Sequence, residues 1–304
     1  MSAWATHDAA AAPHALAEAD ALPGGPIAAS PRRRLRPSSP HVLEPFSITT
    51  GPGPLVAAAV HDGHAAHPDT LARFALDDAG RLREEDPFTG ELAEVAPTQI
   101  VGRRSRFEVD LNRPPEKAVY RTPEDAWGLT VWRDELPESA VTRAMGLYDA
   151  FYQAVERVLD EKLRRYGSVV VYDLHTYNHR RDGPDGPIAD VDENPEVNIG
   201  TGSLNARWAP LVHRFMRELR EGAMAAGLPD LDVRENVKFQ GGRFSRWVHD
   251  RFGSDACVIA VEFKKTFMDE WSGEPDREHL RQLKEALAHT VPGTLESREE
   301  IAGG

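Results

Sequence analysis

The chain has 304 residues and a formal net charge of −13 at pH 7, from 36 basic and 49 acidic side chains. This acidic balance argues against a general nucleic-acid or anionic-membrane binder. The single cysteine, Cys257, excludes an intramolecular disulfide and any metal site built from several cysteines. No apolar run approaches the roughly 18 residues of a membrane span, and no secretory signal pattern is present, so we expect a soluble, cytoplasmic protein.

The chain begins with a segment, residues 1–45, that is rich in alanine and proline and shows neither helical nor strand periodicity. Such a composition predicts a disordered tail. We expect a catalytic domain over residues 46–290. Residues 291–304 show no pattern and are expected to form a C-terminal tail.

Three apolar runs each lead to a residue that can do chemistry. Residues 55–60 precede His61, residues 169–172 precede Asp173 and His175, and residues 257–261 precede Glu262. Continuous apolar runs are typical of strands buried on both faces of a parallel sheet. Because ligands bind beyond the carboxyl ends of such strands, we predict that His61, His175 and Glu262 meet at one edge.

The remaining predicted elements alternate between strand and helix. In chain order they are a short helix over 69–76, a strand at 99–101, a long amphipathic helix over 137–166, a helix over 210–226, a strand at 236–239 and a closing helix over 276–287. Residues 177–201 are expected to form a long loop, which is usually functional or mobile. The alternation predicts an α/β three-layer sandwich with a mixed, mostly parallel sheet.

The two strand-end histidines are candidate metal ligands. A catalytic zinc ion ordinarily takes three protein ligands from His, Asp and Glu and keeps a further position for water. With His61 and His175 as two of them, the residues alone leave the third open among His64 and the acids at 84–86. Asp173, two residues before His175, is placed to orient that histidine.

Glu262 and an arginine-rich segment supply the other candidate chemistry. A lone acid on an apolar strand predicts either a general base or an ion pair, here with Lys264 or Lys265. Four arginines lie within residues 103–113. They suit an anionic substrate, because guanidinium groups bind carboxylates through two parallel hydrogen bonds.

In combination these motifs resemble the N-formylglutamate amidohydrolase family, which is similar in fold to zinc carboxypeptidases and aspartoacylase. The resemblance covers about residues 60–270. It rests on His61-x-Gly63, Ser105-Arg106-Phe107, Asp110-Leu111-Asn112-Arg113, Asp173-x-His175, Gly241-Gly242 and Glu262.

The resemblance implies a residue-by-residue assignment of the site. One catalytic Zn²⁺ is expected on His61, Asp86 and His175, with Asp86 preferred to Glu85 and His64 as third ligand. By the same resemblance Glu262 is expected to be the general base, and Arg106 is expected to stabilise the oxyanion. Asn112 and Arg113 are expected to bind the substrate carboxylate. Arg246 is a further substrate-binding candidate.

The predicted function is a metal-dependent amidohydrolase that cleaves a small acidic N-acyl amino acid, such as N-formylglutamate, or a carboxylate-terminated peptide. The sequence departs from the family pattern at His64 and over residues 84–89, 177–181 and 262–265, so the fold and metal chemistry transfer more directly than the substrate. One alternative is a non-catalytic binder of acidic peptides or partners that uses the same arginines. Another is a non-haem iron oxygenase, since two histidines and one carboxylate also bind iron.

Overall fold

A computed structural model of the chain describes residues 44–303. The tail expected over residues 1–45 therefore lies outside the described residues, apart from its last two. The strands are β1 (Phe46–Thr49), β2 (Leu55–Ala59), β3 (Thr98–Gly102), β4 (Val169–Tyr177), β5 (Val197–Gly200), β6 (Val233–Glu235) and β7 (Ala256–Lys264). The α-helices are α1 (Pro68–Leu71), α2 (Asp78–Glu84), α3 (Thr89–Leu92), α4 (Glu138–Tyr166), α5 (Ala209–Ala226), α6 (Arg243–Phe252) and α7 (Arg277–Gly303).

All seven strands form one sheet in the order β1-β3-β2-β4-β7-β5-β6. The pairs β2–β3, β2–β4, β4–β7 and β5–β6 are parallel, whereas β1–β3 and β5–β7 are antiparallel. The predicted mixed, mostly parallel sheet is confirmed. Its three central strands are the three apolar runs that the sequence singles out.

Helices cover both faces of the sheet and make three layers. Leu55 and Tyr172 point into a core with α5 and α7, while Val56 and Val171 point into a second core with α4 and α6. Burial on both faces explains why these strands carry consecutive rather than alternating apolar residues, up to Asp173 in β4 and Glu262 in β7. Within the described residues, no helix is long and apolar enough to cross a membrane.

Several short elements differ from the sequence prediction. The expected loop over 177–201 contains β5, the strand expected at 236–239 lies earlier, as β6, and neither β1 nor α6 was predicted. The helix expected over 69–76 ends at Leu71. These elements have only three to ten residues. Their sheet pairing and packing, rather than a long local pattern, determine their conformation.

The largest correction concerns the C-terminus. Residues 291–303, expected as a patternless tail, are the second half of α7, which continues past Pro292. The buried residues of this half are small or polar, and Thr290 and Thr294 hydrogen-bond to the buried Tyr172 hydroxyl at 2.9 and 2.7 Å. Val291, Leu295 and Ile301 also pack against the core but are only partly buried, so the apolar pattern in the sequence is weak.

Candidate active site

The sheet brings the three predicted strand-end residues together. β2, β4 and β7 are neighbours, and the β4–β7 register pairs His175 directly with Glu262. His61 follows β2, and its ring centroid lies 5.2 Å from that of His175. The prediction that His61, His175 and Glu262 meet at one edge of the sheet is confirmed. The strands run slightly further than expected, so His175 and Glu262 lie within β4 and β7.

Asp86 lies between the two histidines. Its Oδ2 is 3.2 Å from His61 Nδ1 and 2.9 Å from His175 Nδ1, and one ligand atom from each residue lies within 4.8 Å of the other two. All three side chains are buried. Although burial opposes ionisation, the hydrogen bonds from His175 and His61 hold the pKa of Asp86 well below its usual range. Two imidazole nitrogens and one ionised carboxylate form a donor set that fits a metal ion.

Each histidine is held from behind by a second carboxylate. His61 Nε2 lies 2.8 Å from Asp110 Oδ1, and His175 Nε2 lies 2.9 Å from Asp173 Oδ1. A carboxylate on one ring nitrogen fixes the tautomer and the ring orientation, so that the other nitrogen faces the metal position. Here Nε2 is the anchored atom in both rings, and both Nδ1 atoms face Asp86. This arrangement supports the role predicted for Asp173 and adds Asp110.

The two alternative third ligands lie apart from this group. His64 Nδ1 is 2.6 Å from Glu85 Oε2, and Glu85 also accepts a hydrogen bond from the Ser105 hydroxyl. Glu85 is thus occupied by His64 and Ser105. Of the acidic run at 84–86, only Asp86 belongs to the metal-type group, which consists of His61, Asp86 and His175.

Glu262 lines the cavity beside the two histidines and is only 9% exposed. Burial raises the pKa of Glu262 to about 7, with His175 opposing the shift and Asp86 and Asp173 adding to it. Its two lysine neighbours bond elsewhere: Lys264 Nζ donates to the Asn194 carbonyl at 2.9 Å, and Lys265 Nζ to the Glu85 carbonyl at 2.7 Å. The alternative of a Glu262–lysine ion pair is therefore wrong.

Arg106 is fixed at the cavity wall by Asp110. Its Nη2 and Nε lie 2.9 and 3.3 Å from Asp110 Oδ2, and its Nη1 donates to the Glu84 carbonyl at 3.2 Å. Asp110 also accepts a hydrogen bond from the Tyr120 hydroxyl. Burial disfavours the ionised carboxylate, but Arg106 and His61 hold the pKa of Asp110 well below its usual range. One buried carboxylate thus positions both a metal-type histidine and a cationic side chain.

A cavity of about 470 Å³ opens over this group and is lined by Asn112, Arg113 and Arg246. Phe244 N–H at the start of α6 donates to Asn112 Oδ1 at 2.8 Å. Gly242 packs so closely on Asn112 that a Cβ there would overlap its amide. In the described part of the chain no carboxylate lies within ion-pair distance of Arg113 or Arg246. These cations therefore remain available to an anionic ligand.

Sequence reasoning missed two residues of this site. Asp110 was visible within the Asp-Leu-Asn-Arg motif, but its contacts with His61, Arg106 and Tyr120 depend on the fold. Trp127 also lines the cavity, with the Arg106 and Arg113 guanidinium carbons 5.0 and 5.4 Å from its ring centroids. It is 49% exposed and adopts a positive φ of 54°. No motif in the sequence marked this tryptophan.

A family model described as N-formylglutamate amidohydrolase matches residues 53–268. No curated protein sequence is significantly similar to the chain. An N-formylglutamate amidohydrolase structure from Ralstonia eutropha is similar, with 18% identity and a TM-score of 0.65, over 85% of this chain and 99% of that chain. A gene product from Agrobacterium tumefaciens is similar with 17% identity and a TM-score of 0.52, over 80% of this chain and 95% of that chain. Both share the fold described above.

Proposed function

The chain belongs to the N-formylglutamate amidohydrolase family, and from this premise we propose that it is a zinc-dependent amidohydrolase acting on an acidic N-acyl amino acid. The observation that carries the proposal is the buried group of His61, Asp86 and His175 with Glu262 beside it. A zinc ion held there would lower the pKa of a water molecule and polarise the scissile carbonyl.

Glu262 is proposed as the general base. Its carboxylate lines the cavity next to His175, and burial raises its pKa to about 7. A base is most effective when its pKa is near the working pH, because it is then both deprotonated and basic enough to accept a proton. In the proposed reaction Glu262 takes a proton from the attacking water and later delivers it to the leaving amine nitrogen.

Arg106 is proposed to stabilise the negative charge that develops on the carbonyl oxygen. Three hydrogen bonds to Asp110 and to the Glu84 carbonyl fix its guanidinium before substrate arrives. A guanidinium has five N–H donors, so these bonds leave two for the substrate. A preorganised cation in a buried site stabilises a developing oxyanion without further reorganisation.

Asn112, Arg113 and Arg246 are proposed to bind the carboxylates of the amino-acid half. Asn112 is anchored to the start of α6, and Arg113 lies against the rings of Tyr120 and Trp127. Arginine suits this task because its planar fork matches a carboxylate. Charge and geometry together support an acidic amino acid as the leaving half.

The proposal is tested by metal content and turnover of the purified full-length chain. Elemental analysis is expected to find about one zinc per chain, and added zinc is expected to restore hydrolysis of N-formyl-L-glutamate or a related N-acyl acidic amino acid after chelation. His175→Ala is expected to lose both metal and turnover. His213→Ala, on the exposed side of α5, is the matched control and is expected to retain both.

Two outcomes would count against this function. Full turnover in metal-free protein, or in His175→Ala, would contradict the role of the metal-type group. Iron instead of zinc, with no hydrolysis of any N-acyl amino acid, would favour the oxygenase alternative.

A further inference from the structure

The cavity carries more positive charge than its proposed reaction requires. Six cationic side chains and three carboxylates line it, an excess of three positive charges in a protein whose net charge is −13. The cations are Arg106, Arg113, Arg181, Lys238, Arg246 and Lys265. A concentration of one sign of charge in a cleft raises the local concentration of oppositely charged ligand. The substrate is therefore expected to carry several negative charges.

Arg181 and Lys238 have no role in the chemistry described above. Arg181 follows β4, and Lys238 follows β6, so they come from different elements than the Asn112–Arg113 segment and Arg246 on α6. Burial lowers the pKa of Lys238, and Arg181 lowers it further, against a smaller opposing effect of Glu193. Two cations that repel each other at one cavity wall are stabilised by an anion between them.

Lys238 is held in place without being neutralised. Its Nζ donates to Asn194 Oδ1 at 2.5 Å and lies 5.5 Å from the Tyr177 ring centroid and 5.7 Å from that of Phe239. Asn194 is buried and its backbone carbonyl also accepts from Lys264 Nζ. An amide oxygen fixes an ammonium group without neutralising it, and the acidic group that acts on Lys238, Glu193, has a smaller effect than Arg181. The position is thus preorganised for an anionic group of a ligand.

Arg181 is only weakly engaged within the protein. Its Nη1 lies 3.6 Å from Glu84 Oε2, and its side chain is 58% exposed. The Glu84 carboxylate is buried and also lies 3.5 Å from Arg83 Nε, so it keeps a cationic neighbour when Arg181 turns away. The guanidinium can therefore turn to a ligand carboxylate at little cost.

We propose that Arg181 and Lys238 form a second anion-binding subsite, which receives a carboxylate on the acyl half of the substrate. The inference rests on the proposed amidohydrolase function and extends it. Asn112, Arg113 and Arg246 take the amino-acid half, so the opposite half of the amide faces the remaining cations. A formyl group has no charge to offer them. The preferred substrate class is thus an acidic amino acid whose N-acyl group ends in its own carboxylate.

The experiment compares N-glutaryl-L-glutamate with the same compound in which the terminal glutaryl carboxylate is replaced by a primary amide. The two differ in one charge and hardly in size. For the full-length protein we expect kcat/KM to be roughly tenfold higher for the acid, a difference of about 1.4 kcal/mol. Arg181→Gln and Lys238→Gln are each expected to lower this acid-to-amide ratio at least threefold.

Arg180→Gln is the matched control, because the Arg180 guanidinium donates to the Pro184 carbonyl and does not line the cavity. Its ratio is expected to equal that of the wild type. An acid-to-amide ratio near one, or a ratio that Arg181→Gln and Lys238→Gln leave unchanged, would overturn the subsite.

Calorimetric binding of both compounds separates this inference from the proposed function. If no compound is hydrolysed, the amidohydrolase proposal fails. Tighter binding of the acid by the wild type, reduced by Lys238→Gln, would still support the subsite. Equal binding of the acid and the amide would refute it.

Discussion

Replacing Asp110 by asparagine tests how the site is held together, with Asp173→Asn as the matched variant. Both carboxylates anchor Nε2 of a metal-type histidine. Asp110 Oδ1 accepts from His61 and from Asn112 N–H, and its Oδ2 accepts from Arg106 and Tyr120. Both oxygens of Asp110 accept hydrogen bonds. Whichever way the side-chain amide of an asparagine is turned there, its NH₂ group therefore faces hydrogen-bond donors.

Asp173 is surrounded differently. Its Oδ1 faces His175, and its Oδ2 accepts only the Ser245 hydroxyl at 2.7 Å among the side-chain contacts described. A hydroxyl can turn and accept a hydrogen bond from an amide NH₂. Asp173→Asn therefore keeps its hydrogen bonds and loses only charge.

The structure gives the expected sizes of the two effects. Asp110→Asn forfeits two hydrogen bonds to a charged acceptor, each worth about 1.5–3 kcal/mol, divided between folding and metal binding. Loss of a carboxylate that hydrogen-bonds to a metal-binding histidine typically weakens metal affinity 10–100-fold. We expect about 100-fold for Asp110→Asn, equivalent to about 2.7 kcal/mol, and about tenfold for Asp173→Asn.

The assay is competition for zinc between each variant and a chelator of known affinity, with thermal unfolding monitored in parallel. Asp110→Asn is also expected to lower the unfolding temperature of the metal-free protein more than Asp173→Asn does. Equal zinc affinities for the two variants, or a larger loss for Asp173→Asn, would refute the hydrogen-bond reasoning.

Three further predictions concern the base, a close contact and the C-terminal helix. Glu262→Gln should reduce kcat by about 10²–10⁴-fold, while the substrate affinity measured by calorimetry is retained. Wild-type kcat/KM should fall as the pH drops through about 7, because only the deprotonated carboxylate accepts a proton. A fall in kcat/KM only near pH 4.5 would contradict this. Gly242→Ala should displace the Asn112 amide and raise KM about tenfold, whereas Gly146→Ala, on open helix surface, should leave kinetics unchanged. Deleting residues 288–304 removes two threonine hydroxyls that hydrogen-bond to the buried Tyr172. The deletion should lower the free energy of unfolding in urea by at least about 1–3 kcal/mol. An unchanged urea midpoint would show that this half of α7 is dispensable.

Much of the fold could be predicted because its signals are local. The core strands β2, β4 and β7 begin with consecutive apolar residues, and helices α4 and α5 carry an apolar face, so the burial of each element can be predicted from residues close together in the chain. The second half of α7 gives a weaker signal, because Thr290 and Thr294 supply fully buried contacts while its apolar residues Val291, Leu295 and Ile301 are only partly buried. A sparse apolar pattern does not by itself reveal a helix that packs partly through hydroxyl groups.

The sequence by itself determined that an apolar α/β core delivers His61, His175 and Glu262 to one edge, since strand composition and strand-end position are local properties. Only the tertiary structure supplied the physical reason for Asp86, which the family resemblance had preferred to Glu85: both are buried acids in one short run, yet Asp86 lies between two histidines and Glu85 pairs with His64. Hydrogen bonds and charge pairs act over a few ångströms between residues far apart in the chain, so their partners are decided when the chain folds.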